Sequence, residues 1–309
     1  MSAAHKGRIA VVGMFDGVHS GHRALLSDLK ARASERSFEP MVFTFSNHPL
    51  ELIRPGAAPC LLSTAAEKLE MLAREGIGVV ECVPFDEAMR LTSAEGFMHM
   101  LRDCHDVRAV LLGFNNRFGH DAPASFEEYL RLGEAAGVEV LRGREFVMEG
   151  DGHGRPVSSS EIRRMLALGD VAAAATMLGR PYSLPGTVIH GREVGRTIGF
   201  PTANLEIPRC KAVPAPGVYA VTAGVGSGNV TGFPAMVNIG RRPTVDVCGA
   251  PISIEVHIIG LPGNTDLYGR TVTLGFSARI RSEQRFSSLE ELSCQLAADR
   301  EAALETLSD

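Results

Sequence analysis

A glycine-rich segment near the start of the chain contains two histidines whose spacing suits chemistry on phosphate. His19 and His22 stand three residues apart, so both imidazoles can project from the same side of a turn. The glycines around them, Gly13, Gly17 and Gly21, let a ligand approach the backbone closely. Two imidazoles placed in this way can hydrogen-bond phosphate oxygens and stabilise charge that develops during phosphoryl transfer. The segment matches neither a P-loop nor a dinucleotide fingerprint, and an isolated His-x-x-His is more often a loop with two solvated histidines.

A second candidate site contains three glycines spaced four residues apart, at Gly191, Gly195 and Gly199. Pro201 follows them, and its ring makes the bend rigid. Thr202 and Asn204 come next and present neutral oxygens two residues apart, which lie on the same side of an extended backbone. Hydroxyl and amide oxygens together with phosphate suit Mg²⁺, which takes few protein ligands.

Glu255 is the candidate base for phosphorylation of an alcohol at this second site. Such a reaction needs an acceptor for the hydroxyl proton, and Glu255 lies inside an apolar run where a charge is costly unless it serves a cavity. The alternation leaves the other interpretation open, because Ser253, Glu255 and His257 share one face of a strand and that face could be solvated.

The first half of the chain alternates between apolar strand-like runs and helix-period segments. The predicted strands are residues 9–13, 41–45, 78–83, 108–113 and 138–141, and the helices are residues 23–33, 65–75, 94–102, 126–136, 159–168 and 171–178. This alternation predicts an α/β domain with a parallel sheet covered on both faces. The segment with the two histidines then follows the first strand and opens the first helix, where the helix N-terminus favours phosphate.

The pattern changes across residues 180–186, which are rich in proline and glycine. Beyond them lie short strand-like runs at residues 187–190, 218–223, 233–238, 252–259 and 271–276. Strands with this punctuation predict a small β-barrel. A closing helix is predicted from Ser287, with Glu290 completing a capping box. The predicted domains are therefore residues 1–182 and 183–309.

The string at residues 13–22 resembles the nucleotidylyltransferase superfamily and, within it, the adenylyltransferase half of the bifunctional riboflavin kinase/FAD synthetase family. Residues 43–49, 61–64 with 67–68, 113–119 and 157–163 match that half in order. The resemblance implies a Rossmann-like fold that adenylylates FMN from ATP and releases pyrophosphate. It implies nucleotide contacts from Gly13, Phe15, Asp16, Gly17, Gly21, Ser159, Ser160 and Arg163, and flavin contacts from Asn47, Asn115 and Arg117.

The string at residues 191–204 resembles the riboflavin kinase domain of the same family, and residues 217–220, 238–244, 254–257, 267–269 and 280–286 follow in the order of that domain. The resemblance implies transfer of the γ-phosphoryl group of ATP to the 5′-hydroxyl of riboflavin. It assigns the base to Glu255, Mg²⁺ to Thr202 and Asn204, and the nucleotide to Gly191, Gly195, Arg196, Gly199 and Pro201. Arg281, near the end of the last predicted strand, is a candidate for binding flavin or phosphate, and a solvated position is the equal alternative.

Three residues depart from the family pattern in the first half. Asn115 stands where the family has an acidic residue, Asn116 replaces the aromatic that follows it, and Glu161 occupies a position that is often arginine. Glu161 also fits a capping box with Ser158. These departures leave open a riboflavin kinase with a weak or retargeted adenylyltransferase domain. A flavin-binding regulator without catalysis is the other alternative, but the candidate catalytic residues are intact.

Composition limits the possible partners. Lys and Arg total 31 against 36 for Asp and Glu, which gives a net charge of -5 and argues against nucleic-acid binding. The six cysteines form no C-x-x-C pair, and no run of residues is long and apolar enough for a membrane span or a secretory signal. We therefore expect a cytoplasmic protein whose partners are riboflavin, FMN and ATP; the sequence does not determine the oligomeric state.

Overall fold

The structure is a computed structural model, and it divides into two compact units, residues 1–159 and residues 160–309. It describes residues 7–113, 117–121, 123–144, 157–191, 195, 198–226, 232–241, 252–262 and 265–308. Within these ranges, we find no helix with the length and apolar character that crossing a membrane requires.

The N-terminal unit is built on a five-stranded parallel sheet. Its strands are β1 (Arg8–Val12), β2 (Glu39–Phe45), β3 (Val79–Val83), β4 (Val107–Leu112) and β5 (Glu139–Arg142). They lie in the order β3-β2-β1-β4-β5. The order reverses between β1 and β4, and ligands of open α/β sheets bind outside the carboxyl ends of strands at such a reversal. The segment with the two histidines follows β1 directly.

Six helices in the described part of this unit connect or flank the strands: α1 (Ser20–Arg36), α2 (Pro49–Ile53), α3 (Ala65–Arg74), α4 (Glu87–Leu91), α5 (Ala94–His105) and α6 (Phe126–Ala136). The short α2 and α4 were not predicted, because five residues are too few to show a helical period. Side-chain caps nevertheless define them: His48 accepts from the Leu50 N–H, and Asp86 accepts from the Met89 N–H.

Both faces of the sheet are buried, as the continuous apolar strands predicted. Ile9 and Val11 of β1 belong to a core that includes Leu26 and Leu29 of α1. The alternate residues of β1 face the opposite core, where Phe97 of α5 is buried. The predicted α/β architecture is therefore confirmed.

The C-terminal unit is a closed six-stranded barrel with a terminal helix, as predicted. Its strands are β6 (Tyr182–Ile189), β7 (Ala203–Glu206), β8 (Gly217–Val225), β9 (Phe233–Arg241), β10 (Ile252–Ile258) and β11 (Thr271–Arg281). They close in the order β10-β7-β6-β11-β8-β9. Helices α7 (Ser159–Leu168) and α8 (Val171–Leu178) precede the barrel, and α9 (Leu289–Ser308) ends it.

The proline- and glycine-rich stretch lies inside a barrel strand. Strand β6 begins at Tyr182, and Pro185 pairs with Thr273 while Gly186 pairs with Val272. The predicted strand start at residue 187 was wrong because a proline within a run normally argues against a strand. Strand β7 was missed because it is only four residues long.

The closing helix begins one residue later than the predicted capping box requires. Ser288 Oγ, and not that of Ser287, accepts from a first-turn amide, the Glu291 N–H, at 3.1 Å. The Glu291 carboxylate in turn accepts from the backbone N–H of Ser287 at 2.9 Å. Ser288 therefore caps the helix, and Glu291 binds the residue before the cap instead of completing a capping box.

Helices α7 and α8 are anchored to the barrel. The Leu166 carbonyl at the end of α7 accepts from the Ala215 N–H at 2.9 Å. A Cβ added to Gly169, between the two helices, would stand 3.0 Å from the Tyr219 hydroxyl and 3.1 Å from Arg279. The division between the compact units therefore precedes α8, whereas the boundary at residue 182 stays a prediction.

Candidate functional sites

The loop between β1 and α1 has an unusual backbone. Phe15 and Val18 have positive φ angles of 48° and 36°, and Gly17 has one of 77°. Left-handed conformations are uncommon outside glycine and are least favourable for a β-branched residue such as valine. Both nonglycine side chains are buried, at 2% and 1% exposure. Packing of Phe15 and Val18 therefore holds the loop in a conformation that the backbone alone disfavours.

The two histidines lie together at the N-terminus of α1. His19 is the N-cap, and its Nδ1 accepts from the backbone N–H of His22 at 3.3 Å. The two rings stack with their centroids 3.6 Å apart and an angle of 16° between their planes. Since Nδ1 of His19 is an acceptor, a neutral His19 carries its proton on Nε2. This nitrogen can donate to an anion at the helix N-terminus.

His22 is held in its neutral form. Its Nδ1 is buried and has no hydrogen-bond partner in the described part of the chain. Burial lowers the pKa of His22 well below its usual value, and electrostatic interactions with His19 and with the Lys68 ammonium group lower it further. A buried N–H without a partner is rarer in proteins than a buried acceptor without one. We therefore place the proton of the neutral His22 ring on Nε2 and leave Nδ1 as the unpartnered acceptor. Both histidines thus offer Nε2–H donors.

Asp16, expected to contact nucleotide, braces the loop. Its carboxylate accepts from the backbone N–H groups of Leu62 and Ser63 at 2.9 and 3.0 Å, and its exposure is 3%. Ser63 Oγ also accepts from the Gly17 N–H at 2.9 Å. The predicted phosphate residue Ser159 donates to the Asp16 carbonyl at 2.9 Å. The loop is therefore fixed from two directions, and nucleotide contacts by Asp16 and Ser159 remain predictions.

The other predicted residues of this half have varied surroundings. The Asn47 side chain accepts from the Phe85 backbone N–H at 2.7 Å and donates to the Phe85 carbonyl at 3.2 Å. Exposed Arg117 donates to the Ala124 carbonyl. Glu161 forms a two-pronged ion pair with Arg164, with N–O distances of 2.7 and 2.8 Å. Ser160 and Arg163 lie on α7 in the C-terminal unit, while Asn115 and Asn116 fall outside the described residues.

Lys68 was not recognised as a candidate site residue. It lies on α3 with 3% exposure, and its Nζ donates to the Met14 carbonyl at 3.0 Å and to the Phe45 carbonyl. The helical spacing could have predicted its burial, because Lys68 stands one turn before the fully buried Leu72 and lies on the same inward face of the helix.

In the C-terminal unit, the glycine motif packs against Asn204. A Cβ added to Gly191 would stand 1.9 Å from Nδ2 of Asn204, and one added to Gly195 would stand 2.2 Å from the Phe200 carbonyl. Glycine is therefore required at both positions by close approach. Gly199 is required by its backbone, because its φ is 82°.

Glu255 and Asn204 are direct partners across two strands. Glu255 of β10 pairs with Asn204 of β7 on one side and with Asn238 of β9 on the other. Directly opposed residues of antiparallel strands place their side chains on the same face. The flanking residues Ile254 and Val256 are buried inside the barrel, so Glu255 lies half-buried on its outer face beside two amides.

A further contact ties the predicted metal-binding segment to the same strand. Nδ1 of His257 lies 2.8 Å from the Pro201 carbonyl, and the Phe200 ring meets the His257 ring edge-on at 5.4 Å. A carbonyl can only accept, so His257 donates from Nδ1. This bond fixes the backbone directly before Thr202.

A cavity of about 170 Å³ lies at this end of the barrel. Four of the predicted residues line it: Gly191, Pro201, Thr202 and Asn204. Apolar Val256 and Leu267 contribute, and Tyr268, which stacks on His190 with ring centroids 3.9 Å apart, stands at its edge. The cavity thus combines a mostly neutral lining with the two predicted metal ligands.

Arg281 is engaged with α9. Its guanidinium donates to the Asp299 carboxylate at 2.7 to 3.1 Å, and Asp299 is 1% exposed. Gln295 donates to the same carboxylate at 2.9 Å. The structure thus gives Arg281 a link between β11 and α9, whereas flavin binding by Arg281 stays a prediction. Arg196 falls outside the described residues.

Family models match both halves of the chain. The model of FAD synthetase matches residues 1–161, and the model of riboflavin kinase matches residues 178–307. Together they correspond to the parallel-sheet unit and the barrel. The class that fold and sites define is therefore a two-domain transferase acting on flavins.

Full-length relatives carry both names. The chain is 39% identical to a bifunctional riboflavin kinase/FMN adenylyltransferase of Escherichia coli over 98% of its own length and 94% of the relative's. It is 34% identical to the enzyme of that name from Bacillus subtilis, covering 97% and 93%. The crystal structure of a macrolide-efflux protein from Streptococcus pneumoniae matches with a TM-score of 0.82 and 29% identity, covering 97% and 95%.

The chain belongs to the bifunctional riboflavin kinase/FMN adenylyltransferase family. It uses ATP to phosphorylate riboflavin to FMN and to adenylylate FMN to FAD. A kinase with a weak or retargeted adenylyltransferase domain is not favoured, because the FAD synthetase model matches the complete first unit.

Proposed function

We propose that the β1–α1 loop carries out adenylylation and that the end of the barrel around Asn204 carries out phosphorylation. The observation that carries the first assignment is the stacked pair of histidines with Nε2–H donors at a helix N-terminus. The second rests on the pairing of Glu255 with Asn204, which lines a cavity together with Thr202.

In adenylylation, a phosphate oxygen of FMN attacks the α-phosphorus of ATP. A bond forms between that oxygen and phosphorus, the bond from phosphorus to the pyrophosphate oxygen breaks, and pyrophosphate leaves. His19 and His22 donate from Nε2 to the α-phosphate oxygens, whose negative charge grows in the transition state. The orphan N–H groups at the start of α1 and the close approach allowed by Gly13, Gly17 and Gly21 add to this stabilisation.

In phosphorylation, the 5′-hydroxyl oxygen of riboflavin attacks the γ-phosphorus of ATP, and ADP leaves. The Glu255 carboxylate orients the hydroxyl and accepts its proton. The orienting role matters because catalysis of phosphoryl transfer depends mainly on the position of the attacking oxygen and on electrostatic stabilisation. His257 keeps the backbone before Thr202 in place through its bond to the Pro201 carbonyl.

The donor set of this second site fits Mg²⁺. Thr202 and Asn204 supply neutral oxygens, Asn204 is 9% exposed, and Gly191 leaves room for its amide. Mg²⁺ prefers oxygen ligands and usually shares a site with substrate phosphates. When bound, the ion would neutralise charge on the phosphates of ATP. A cytoplasmic location and the absence of a nucleic-acid partner stay predictions from sequence.

A product assay tests this division of labour. The whole chain, given riboflavin, ATP and Mg²⁺, is expected to form FMN and then FAD. Residues 160–309 alone are expected to fold and to stop at FMN, because this unit contains the barrel, α8 and most of α7. Residues 183–309 should unfold at a lower temperature, since they lack α7, α8 and Tyr182, whose hydroxyl donates to the Ala212 carbonyl at 2.6 Å. Chromatography and thermal unfolding provide the measurements; FAD from either fragment would contradict the proposal.

Gly191→Ala is expected to lower FMN formation by about 100-fold while FAD formation from added FMN stays near that of the parent. The new Cβ would overlap the Asn204 amide, which must move and lose its place at the metal site. Gly78→Ala is the matched control, because a Cβ there meets nothing within 4 Å. Initial rates of both reactions provide the measurement. A Gly191→Ala variant with the parent's FMN rate would show that the position of Asn204 does not matter.

A further inference from the structure

Lys68 connects the two strand ends beneath the β1–α1 loop. Its helix is fixed at the start by a capping box in which Thr64 and Glu67 satisfy each other's backbone amides. From there Lys68 Nζ donates to the Met14 carbonyl, just after β1, and to the Phe45 carbonyl at the end of β2. Thr44 Oγ1 donates to the same Met14 carbonyl at 3.2 Å. The carboxyl ends of the neighbouring strands β1 and β2 are thereby joined at the edge of the sheet where ligands of such folds bind.

An ammonium group is a costly way to make this connection. Lys68 is 3% exposed, and burying a charge is unfavourable unless it is compensated. Burial lowers the pKa of Lys68, while Cys82 and Asp16 oppose the shift. Asp16 also accepts the backbone amides of Leu62 and Ser63, so its charge is shared among several donors. An unbranched apolar side chain such as methionine could fill the space without this cost, which points to a use for the charge.

The charge acts on the catalytic histidine. Three causes keep the pKa of His22 low: burial is the largest, the stacked His19 is the second, and the positive charge of Lys68 is the third. The α1 N-terminus, the imidazole donors and Lys68 therefore add positive potential at one place. Such a place attracts the phosphates of a nucleotide.

We propose that Lys68 is a positioning residue for FMN adenylylation, which holds the ends of β1 and β2 below the β1–α1 loop and adds positive potential where the phosphates of ATP bind. The inference rests on the assignment of adenylylation to this loop. Lys68 does not touch the reacting atoms; it acts through the backbone of Met14 and through the field at His22. A group with this role affects the transition state more than the ground state, because negative charge grows on the phosphate oxygens during attack.

Two substitutions separate the charge from the hydrogen bonds. Lys68→Met removes both, whereas Lys68→Gln keeps an N–H donor and removes the charge. We expect both to lower kcat for FAD formation by about 10-fold or more, with a smaller change in KM for FMN. FMN formation by the same protein should stay within about two-fold, which reports that the C-terminal unit is intact, and a thermal unfolding profile like that of the parent reports that the N-terminal unit is folded. Lys30→Met is the matched control, because Lys30 Nζ also donates to a backbone carbonyl in this unit, that of Glu75, at 2.7 Å.

The titration of His22, followed by NMR with ¹⁵N-labelled histidine in the full chain, is the decisive readout. The pKa of His22 is expected to rise in Lys68→Met and Lys68→Gln and to stay unchanged in Lys30→Met. A purely structural lysine would leave it unchanged in Lys68→Gln. An unchanged pKa, an unchanged kcat, or equal loss of both activities in Lys68→Gln would overturn the proposal. If His22→Ala kept full FAD formation, the site assignment itself would be wrong; loss in His22→Ala with none in the Lys68 variants would overturn the role of Lys68 alone.

Discussion

Replacing His22 by alanine is expected to lower the rate of FAD formation by at least about 100-fold, while FMN formation stays near that of the parent. In the proposed mechanism, the substitution removes an Nε2–H donor to the α-phosphate oxygens, whose negative charge grows in the transition state. It removes no hydrogen bond of His22 Nδ1 within the described residues, because that atom has none. The fold is therefore expected to tolerate the change. Initial rates with FMN and ATP, beside rates with riboflavin and ATP, provide the measurement.

His19 needs a different control because it has a second role. As the N-cap of α1 it accepts from the His22 N–H, and loss of a cap costs about 1 kcal/mol of stability. His19→Asn keeps a capping acceptor and removes the imidazole, whereas His19→Ala removes both. Both variants should lose FAD formation to a similar extent, but only His19→Ala should unfold at a lower temperature. Normal FAD formation in His19→Asn would show that capping, and not phosphate binding, explains the residue.

Glu255→Gln is expected to lower kcat for FMN formation by about 100-fold or more, with little change in KM for ATP. Glutamine keeps the shape and the pairing with Asn204 and Asn238, but its amide is a poor acceptor for the riboflavin hydroxyl proton. FAD formation from added FMN should continue at the parent rate, because the reaction belongs to the other unit.

A carboxylate on the neighbouring strand serves as the control for Glu255. Glu206 of β7 is exposed and lies two residues beyond Asn204. Glu206→Gln should leave both activities unchanged. If Glu255→Gln phosphorylates riboflavin at the parent rate, the base must be another residue and the half-buried face of β10 has only a structural role.

Most of the fold could be predicted because its strands are long apolar runs. All five strands of the parallel sheet were predicted within two residues of their observed ends. The errors arose where local sequence and tertiary pairing disagree. Pro185 and Gly186 are typical of a connecting loop, yet their pairing with β11 makes them part of β6. The four residues of β7 form a strand only because β6 and β10 bind them on both sides.

Only some residues of the candidate sites could be predicted from the sequence. His19, His22, Thr202 and Asn204 stand out in sequence because their type suits the chemistry. Sequence does not show which polar residue a loop needs for its own backbone, and Asp16 and Asn47 bind backbone amides in the structure. Lys68 lies in a segment that matches the family, but it was given no role in a site, since lysine on a helix is usually a solvated residue.

The left-handed backbone at Phe15 and Val18 has a consequence for the order of folding. Each such residue costs roughly 1–3 kcal/mol unless its surroundings hold it. The compensation comes from burial of both side chains in the core that also contains Ile9, Val11 and Leu26. The loop can therefore adopt its native shape only after β1 and α1 have packed together. The proposed adenylylation site thus forms late in folding, and conditions that loosen this core are expected to abolish FAD synthesis.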